Sequence, residues 1–107
     1  MAVTLHHDPV LARFRTALGS LYGDRLARLV LFGSRARGDA GPDSDYDVAV
    51  LLKEPIDFWA EMERLADIGT DILYDSGAVI SAVPFRDLAW LERTPLMGEI
   101  RREGLDV

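Results

Sequence analysis

Asp45 and Asp47 are the residues of this chain whose type and spacing most directly suggest chemistry. They open an apolar run, Tyr46 to Leu52. In a strand, residues two apart point to one face. The two carboxylates therefore share a face, and Tyr46 and Val48 share the other. Paired carboxylates beside apolar strands are costly to charge unless a cation neutralises them. Ligands that are all oxygen favour Mg²⁺ or Mn²⁺. A plainer reading makes Asp45 a turn cap and leaves Asp47 solvated. On these two residues alone both readings stand.

A second group lies upstream. The apolar run Arg28 to Phe32 ends in Gly33-Ser34, followed by Arg35, Arg37 and Gly38. A strand ending in Gly lets backbone approach a ligand closely. A helical turn starting at Ser34 would present free N–H groups to an anion, and the Ser hydroxyl would add a donor. Arg35, next to the turn, is the better phosphate candidate of the two arginines, with Arg37 left to solvent. The plain alternative is an ordinary strand-to-helix turn.

The two groups together say more than either alone. Ten residues separate Ser34 from Asp45, with Gly38, Gly41 and Pro42 marking a loop between them. A phosphate-holding turn beside a metal-holding strand is what a metal-nucleotide reaction requires. A P-loop is excluded because Gly-Lys-Ser/Thr is absent. Asp43, Asp45, Asp47 and Glu54 mimic the spacing of a calcium-binding EF-hand loop. However, Val48 occupies the position where that loop needs Gly, and the following VAVLL is strand-like.

Several elements must position these residues. Asp8-Pro9 opens a helix over about 9–22, stopped by Gly23. Arg28–Phe32 and Tyr46–Leu52 are short continuous apolar runs, read as buried strands. Pro55 and Asp57 introduce a long helix ending near 76. Its stripe is Phe58, Met62, Leu65 and Ile72, widened by Trp59, Ala66 and Leu73. Gly69 lies inside it and suggests close packing on a strand. Ala78–Phe85 is a third strand, with Pro84 pointing to an edge or terminus. A short helix over 87–93 follows, and a last one opens at Thr94-Pro95 and stops at Gly104. Phe58, Trp59 and Trp90 are read as core or interface, Arg101 and Arg102 as complementing a helix dipole. The expectation is one domain over 1–107, α/β (α+β), with a small mixed sheet of three or more strands flanked by helices.

Composition bounds the function. Of 107 residues, 49% are hydrophobic, enough for a core. The formal net charge of −6 argues against direct nucleic-acid binding, which needs basic surface. Cysteine is absent, which removes disulfides and thiolate metal sites and fits a reducing cytoplasm. No signal peptide or membrane-spanning run is read. His6 and His7 are adjacent and rarely converge on one metal, so they are read as tail.

The stretch Gly33-Ser34-Arg35-Ala36-Arg37-Gly38, then Asp45-Tyr46-Asp47, resembles the GSxAxG…DxD signature of the DNA polymerase beta-type nucleotidyltransferase superfamily. The small size resembles its minimal nucleotidyltransferase (MNT) branch. The resemblance implies a nucleotidyltransferase fold, with Gly33 and Ser34 holding a triphosphate and Asp45 and Asp47 binding two Mg²⁺ ions as the catalytic pair. Arg35 and Arg37 join the nucleotide-binding group. It further implies ATP as substrate and AMP transfer to a hydroxyl of a HEPN-type helical toxin, with this chain as the antitoxin, alone or in a homo- or hetero-oligomer. One departure stands out. The family commonly carries a third carboxylate on a later strand, and Ser81 is the only side-chain oxygen in Ala78–Phe85. Asp71 and Asp75 are nearby in sequence but read as a solvated helix face. The resemblance therefore leaves two expectations: an adenylylating enzyme, or a catalytically degenerate nucleotide- or partner-binding antitoxin module.

Overall fold

The structure, a computed structural model, describes residues 8–107; His6 and His7 lie outside the described residues. Helix α1 (Pro9–Tyr22) begins where Asp8 Oδ1 accepts from the amides of Val10 and Leu11, at 2.9 and 3.2 Å. Strand β1 (Leu26–Phe32) follows, then a single helical turn, α2 (Ser34–Arg37), and strand β2 (Tyr46–Leu52). Helix α3 (Phe58–Ser76) is capped by Asp57 and crosses to strand β3 (Ile80–Arg86). A 3₁₀ segment (Asp87–Leu91) leads to helix α4 (Pro95–Glu103), whose first turn is held by Thr94, and to a short strand β4 (Leu105–Asp106).

The four strands form one sheet in the order β3-β2-β1-β4. β1 runs antiparallel to β2 and to β4, whereas β2 and β3 are parallel. The mixed sheet with flanking helices is the expected architecture. β4 was not anticipated. Its Leu105 and Asp106 pair with Leu31 and Val30, so the chain after Gly104 returns to the edge of β1.

The two faces of the sheet are packed separately. One carries Leu29, Leu31, Val48, Val50 and Leu52 against Leu11, Phe14 and Leu18 of α1 and Leu65 and Ile72 of α3. The other carries Val30, Ala49 and Leu51 against Ala89, Met97 and Ile100. β2 is buried at every position except Asp47, which is only half-buried. An apolar run with one carboxylate in it is thus explained: both faces are covered except where Asp47 stands.

Leu65 and Ile72 of the expected α3 stripe are buried, but its first turn faces differently. Glu61, not Phe58 or Trp59, lies in the core; Trp59 and Leu73 are 75% and 41% exposed. Glu61 is buried because three partners meet it. Tyr22 Oη donates to Oε1 at 2.9 Å, Arg64 Nη1 donates to Oε1 at 2.8 Å, and Arg25 Nη2 donates to Oε2 at 3.2 Å. Burial alone would raise its pKa, but hydrogen bonds from Arg64, Tyr22 and Arg25 hold it below the usual carboxylate range. Gly69 does not mark close packing. A Cβ there would stand 3.7 Å from the Ile80 carbonyl, an ordinary contact.

Candidate active site

Gly33 joins β1 to α2 in a conformation that L side chains rarely adopt, φ 75° and ψ −157°. Its carbonyl accepts from the amides of Ala36 and Arg37, both at 3.1 Å, which closes the helical turn. Gly38 ends the turn at φ 83° and donates to Ser34 O. The reason for glycine at 33 is partly the turn and partly Asp47. Phe32 and Asp47 are paired in register, and a Cβ on Gly33 would collide with the Asp47 carboxylate. The turn and the carboxylate expected to work together are therefore in contact.

Asp47 Oδ atoms lie on the same face as Ala49 and Leu51, opposite to Tyr46 and Val48. Burial, then the Asp45 carboxylate beside it, push the Asp47 carboxyl above its ordinary range, and Arg37 opposes them. Asp45 itself is exposed and lies one residue before β2. The parallel register places Ser81 of β3 next to Asp47 and on its face. The third strand overlaps the expected Ala78–Phe85 but runs Ile80–Arg86, and its residue beside the pair is a hydroxyl. Among the described residues, no three His, Cys, Asp or Glu side chains gather to hold a metal ion. The pair still fits Mg²⁺, which is commonly bound by one or two carboxylates with substrate phosphates and water completing the shell.

The two arginines take different surroundings. Arg35 turns away from the carboxylates. Its Nε donates to Ser44 O at 2.9 Å, its Nη2 donates to Pro42 O at 3.3 Å, and its guanidinium lies 3.9 Å from the centre of the Tyr46 ring. Arg37 is the arginine whose charge reaches Asp47. It is exposed, as expected, and pairs with carboxylates there. Its Nε lies 3.3 Å from Asp39 Oδ2, and its Nη1 is 3.8 and 3.7 Å from Glu99 and Glu103 of α4. Adjacent positions in one helical turn point roughly 100° apart, and Arg35 and Arg37 are two positions apart; spacing alone does not tell which faces the carboxylates.

Other residues have structural posts. Tyr46 Oη donates to Asp8 Oδ2 at 2.9 Å, so the cap of α1 also holds the start of β2. That link joins residues 38 apart and left no local signal. Asp75 pairs with Arg13 at 2.7 Å on an exposed surface and Asp71 is exposed, neither near the pair as a ligand. Trp90 lies under the Arg28 guanidinium, 4.2 Å from ring centre to Cζ. Arg101, in the last turn of α4, donates to the carbonyls of Trp90 and Glu92.

A glycine turn pressed against a carboxylate thus lies at the junction of two strands of a mixed sheet. The family model described as nucleotidyltransferase domain matches residues 11–97, and the chain belongs to that family. Two proteins of Methanocaldococcus jannaschii, provisionally named protein adenylyltransferases, are similar along their length. One is 28% identical over 98 residues, covering 92% of this chain and 95% of the relative. The other is 34% identical over 79 residues, covering 74% and 73%. Among solved structures, a toxin–antitoxin complex with AMP-PNP contains a chain with the same fold. It has TM-score 0.65 and 21% identity, over 89% of this chain and 69% of that one. The complex of a tri-AMPylated Shewanella oneidensis HEPN toxin with an MNT antitoxin contains another. It has TM-score 0.54 and 20% identity, over 91% and 70%. No helix among the described residues is long and apolar enough to cross a membrane.

Proposed function

We propose that this nucleotidyltransferase moves AMP from ATP to a hydroxyl of a protein partner, a HEPN-type helical toxin, and silences it as its antitoxin. The observation that carries the reading is the contact between the Gly33 turn and the Asp47 carboxylate. It supports a triphosphate and its metal sharing one place. The partner class and the use of ATP rest on the named relatives, crystallised with a HEPN toxin and with AMP-PNP.

In this reading Gly33 and Ser34 receive the outer phosphates, and Arg37 adds positive charge beside Asp47. Asp45 and Asp47 would hold two Mg²⁺ ions. When bound, Mg²⁺ neutralises the phosphates and lowers the cost of charge in transfer. The acceptor hydroxyl attacks the α-phosphorus, the bond from that phosphorus to the bridging oxygen of the β-phosphate breaks, and pyrophosphate leaves with the electron pair. The hydroxyl proton passes to solvent or to a carboxylate.

A second reading is a binding antitoxin without transfer. Ser81 beside Asp47, where a third carboxylate would complete the set, favours it. One experiment separates the two. The chain is incubated with ATP, Mg²⁺ and a candidate HEPN-type partner protein, and the partner's mass is measured. An increase of one or more AMP units, lost in the Asp45→Ala/Asp47→Ala double variant, is the expected result. No mass change, with partner inhibition surviving the double substitution, establishes the binding module instead.

A further inference from the structure

We infer that Arg35 is a positioning residue that fixes Asp45 beside Asp47, and that it is not itself a phosphate ligand; this rests on the metal-nucleotide reading of the site.

Asp47 is placed by the sheet, since it lies within β2 and pairs with both Phe32 and Ser81. Asp45 has no such support. It is exposed, precedes the strand, and follows a loop whose residues 41–43 are all exposed. What holds it is the residue on either side. Ser44 is tied back by its amide to Gly41 O at 3.2 Å, and its hydroxyl accepts from Gly41 N at 3.0 Å. Its carbonyl is then taken by Arg35 Nε. Tyr46 is anchored by its amide to Val79 O at 2.9 Å and by its hydroxyl to Asp8, and its ring lies under the same guanidinium. Arg35 thus grips the chain immediately before and immediately after Asp45. Its planar fork reaches two carbonyls and a ring together, which a lysine ammonium on a flexible stem does not reproduce.

These contacts also account for the side chain. With Nε and Nη2 directed at Ser44 O and Pro42 O, and one face on Tyr46, the guanidinium is committed to the loop. Residues that orient metal ligands matter nearly as much as the ligands, and their loss typically weakens metal affinity by about 10- to 100-fold.

The test compares the full chain with Arg35→Lys and Arg35→Gln. Amide hydrogen exchange is followed across residues 39–45, and Mn²⁺ binding is measured by the paramagnetic resonance of the free ion. Circular dichroism identifies a variant that fails to fold, and the other variant then carries the comparison. The expected result is faster exchange confined to 39–45 and Mn²⁺ affinity weakened by about 10- to 100-fold. ATP affinity without divalent ions stays unchanged, and excess Mn²⁺ restores activity. Arg37→Ala, which loses its contact to Asp39, leaves exchange of residues 41–45 unchanged. Loop exchange and Mn²⁺ affinity that match the parent, together with weakened metal-free ATP binding, make Arg35 a phosphate ligand and overturn the inference. A parent chain that binds neither Mn²⁺ nor ATP refutes the nucleotide reading instead. Loop exchange still decides the role of Arg35 in that case, because unchanged exchange rejects it.

Discussion

Asp47 holds a charge that its surroundings resist. Burial and the neighbouring Asp45 raise its pKa, so the carboxyl ionises less readily in the fold than in the unfolded chain. The sign for stability follows from linkage. A carboxyl raised by folding favours the fold while protonated and costs stability once pH rises through the unfolded and then the folded pKa. Asp47→Asn is therefore expected to raise the Tm of the metal-free protein at neutral pH while abolishing Mn²⁺ binding. A lower Tm in scanning calorimetry would refute the sign. Mn²⁺ affinity of the parent is also expected to fall with acidification from a pH above the usual aspartate range. Gly33 is constrained from both sides, by its positive φ and by this carboxylate. At this scale the sequence carried much of the site. Gly33, Ser34, Asp45 and Asp47 were named from spacing, and the structure brings Gly33 and Asp47 into contact. The contacts of the two arginines were not legible. They depend on where a loop carbonyl and a tyrosine ring arrive, and no local pattern encodes that.

At the level of elements, boundaries followed from caps and stops. Asp8, Asp57 and Thr94 accept from the first-turn amides of α1, α3 and α4, as their types suggest. Leu65 and Ile72 of α3 face inward as expected, but its first turn was misjudged because Glu61 is acidic and its aromatic neighbours are not. A buried carboxylate is favourable only with partners, and Tyr22, Arg25 and Arg64 come from two separate segments. This cluster has a pH signature. Tyr22 is pushed well above the ordinary phenol range by burial and by its bond to Glu61. Its contribution is complete below the unfolded phenol pKa of about 10 and is lost as pH rises beyond it. Glu61, held low, contributes above its unfolded pKa and loses that contribution on acidification. Tyr22→Phe is expected to cost about 1 kcal/mol at neutral pH by urea unfolding, with the parent and variant converging in strong alkali. Gly69→Ala should stabilise α3 by about 1 kcal/mol, since nothing crowds a Cβ there and a mid-helix glycine costs that much. An unchanged urea midpoint would show that the helix needs the glycine.

For the molecule as a whole, the sheet and its flanking helices were legible because three apolar runs alternate with amphipathic segments. β4 was not. Two residues after a helix-stopping glycine carry no periodicity, and only the free edge of β1 makes them a strand. Gly104 shows the cost of that return: a Cβ would strike the Ile100 carbonyl and the Val30 side chain. α4 thereby lies over the second face of the sheet while its Glu99 and Glu103 reach Arg37 in the turn after β1.

The exposure of Asp45 has a consequence for what reacts. Among the described residues Asp45 is exposed and Asp47 half-buried, so in the proposed transfer water would compete with an acceptor hydroxyl at an activated phosphate. Enzymes that avoid such waste close over the substrate. Under the proposed transfer to a partner, the closing surface would come from that partner, which would then be both acceptor and lid. Faithful transfer would depend on docking, and the solitary chain would spend ATP only slowly and on water.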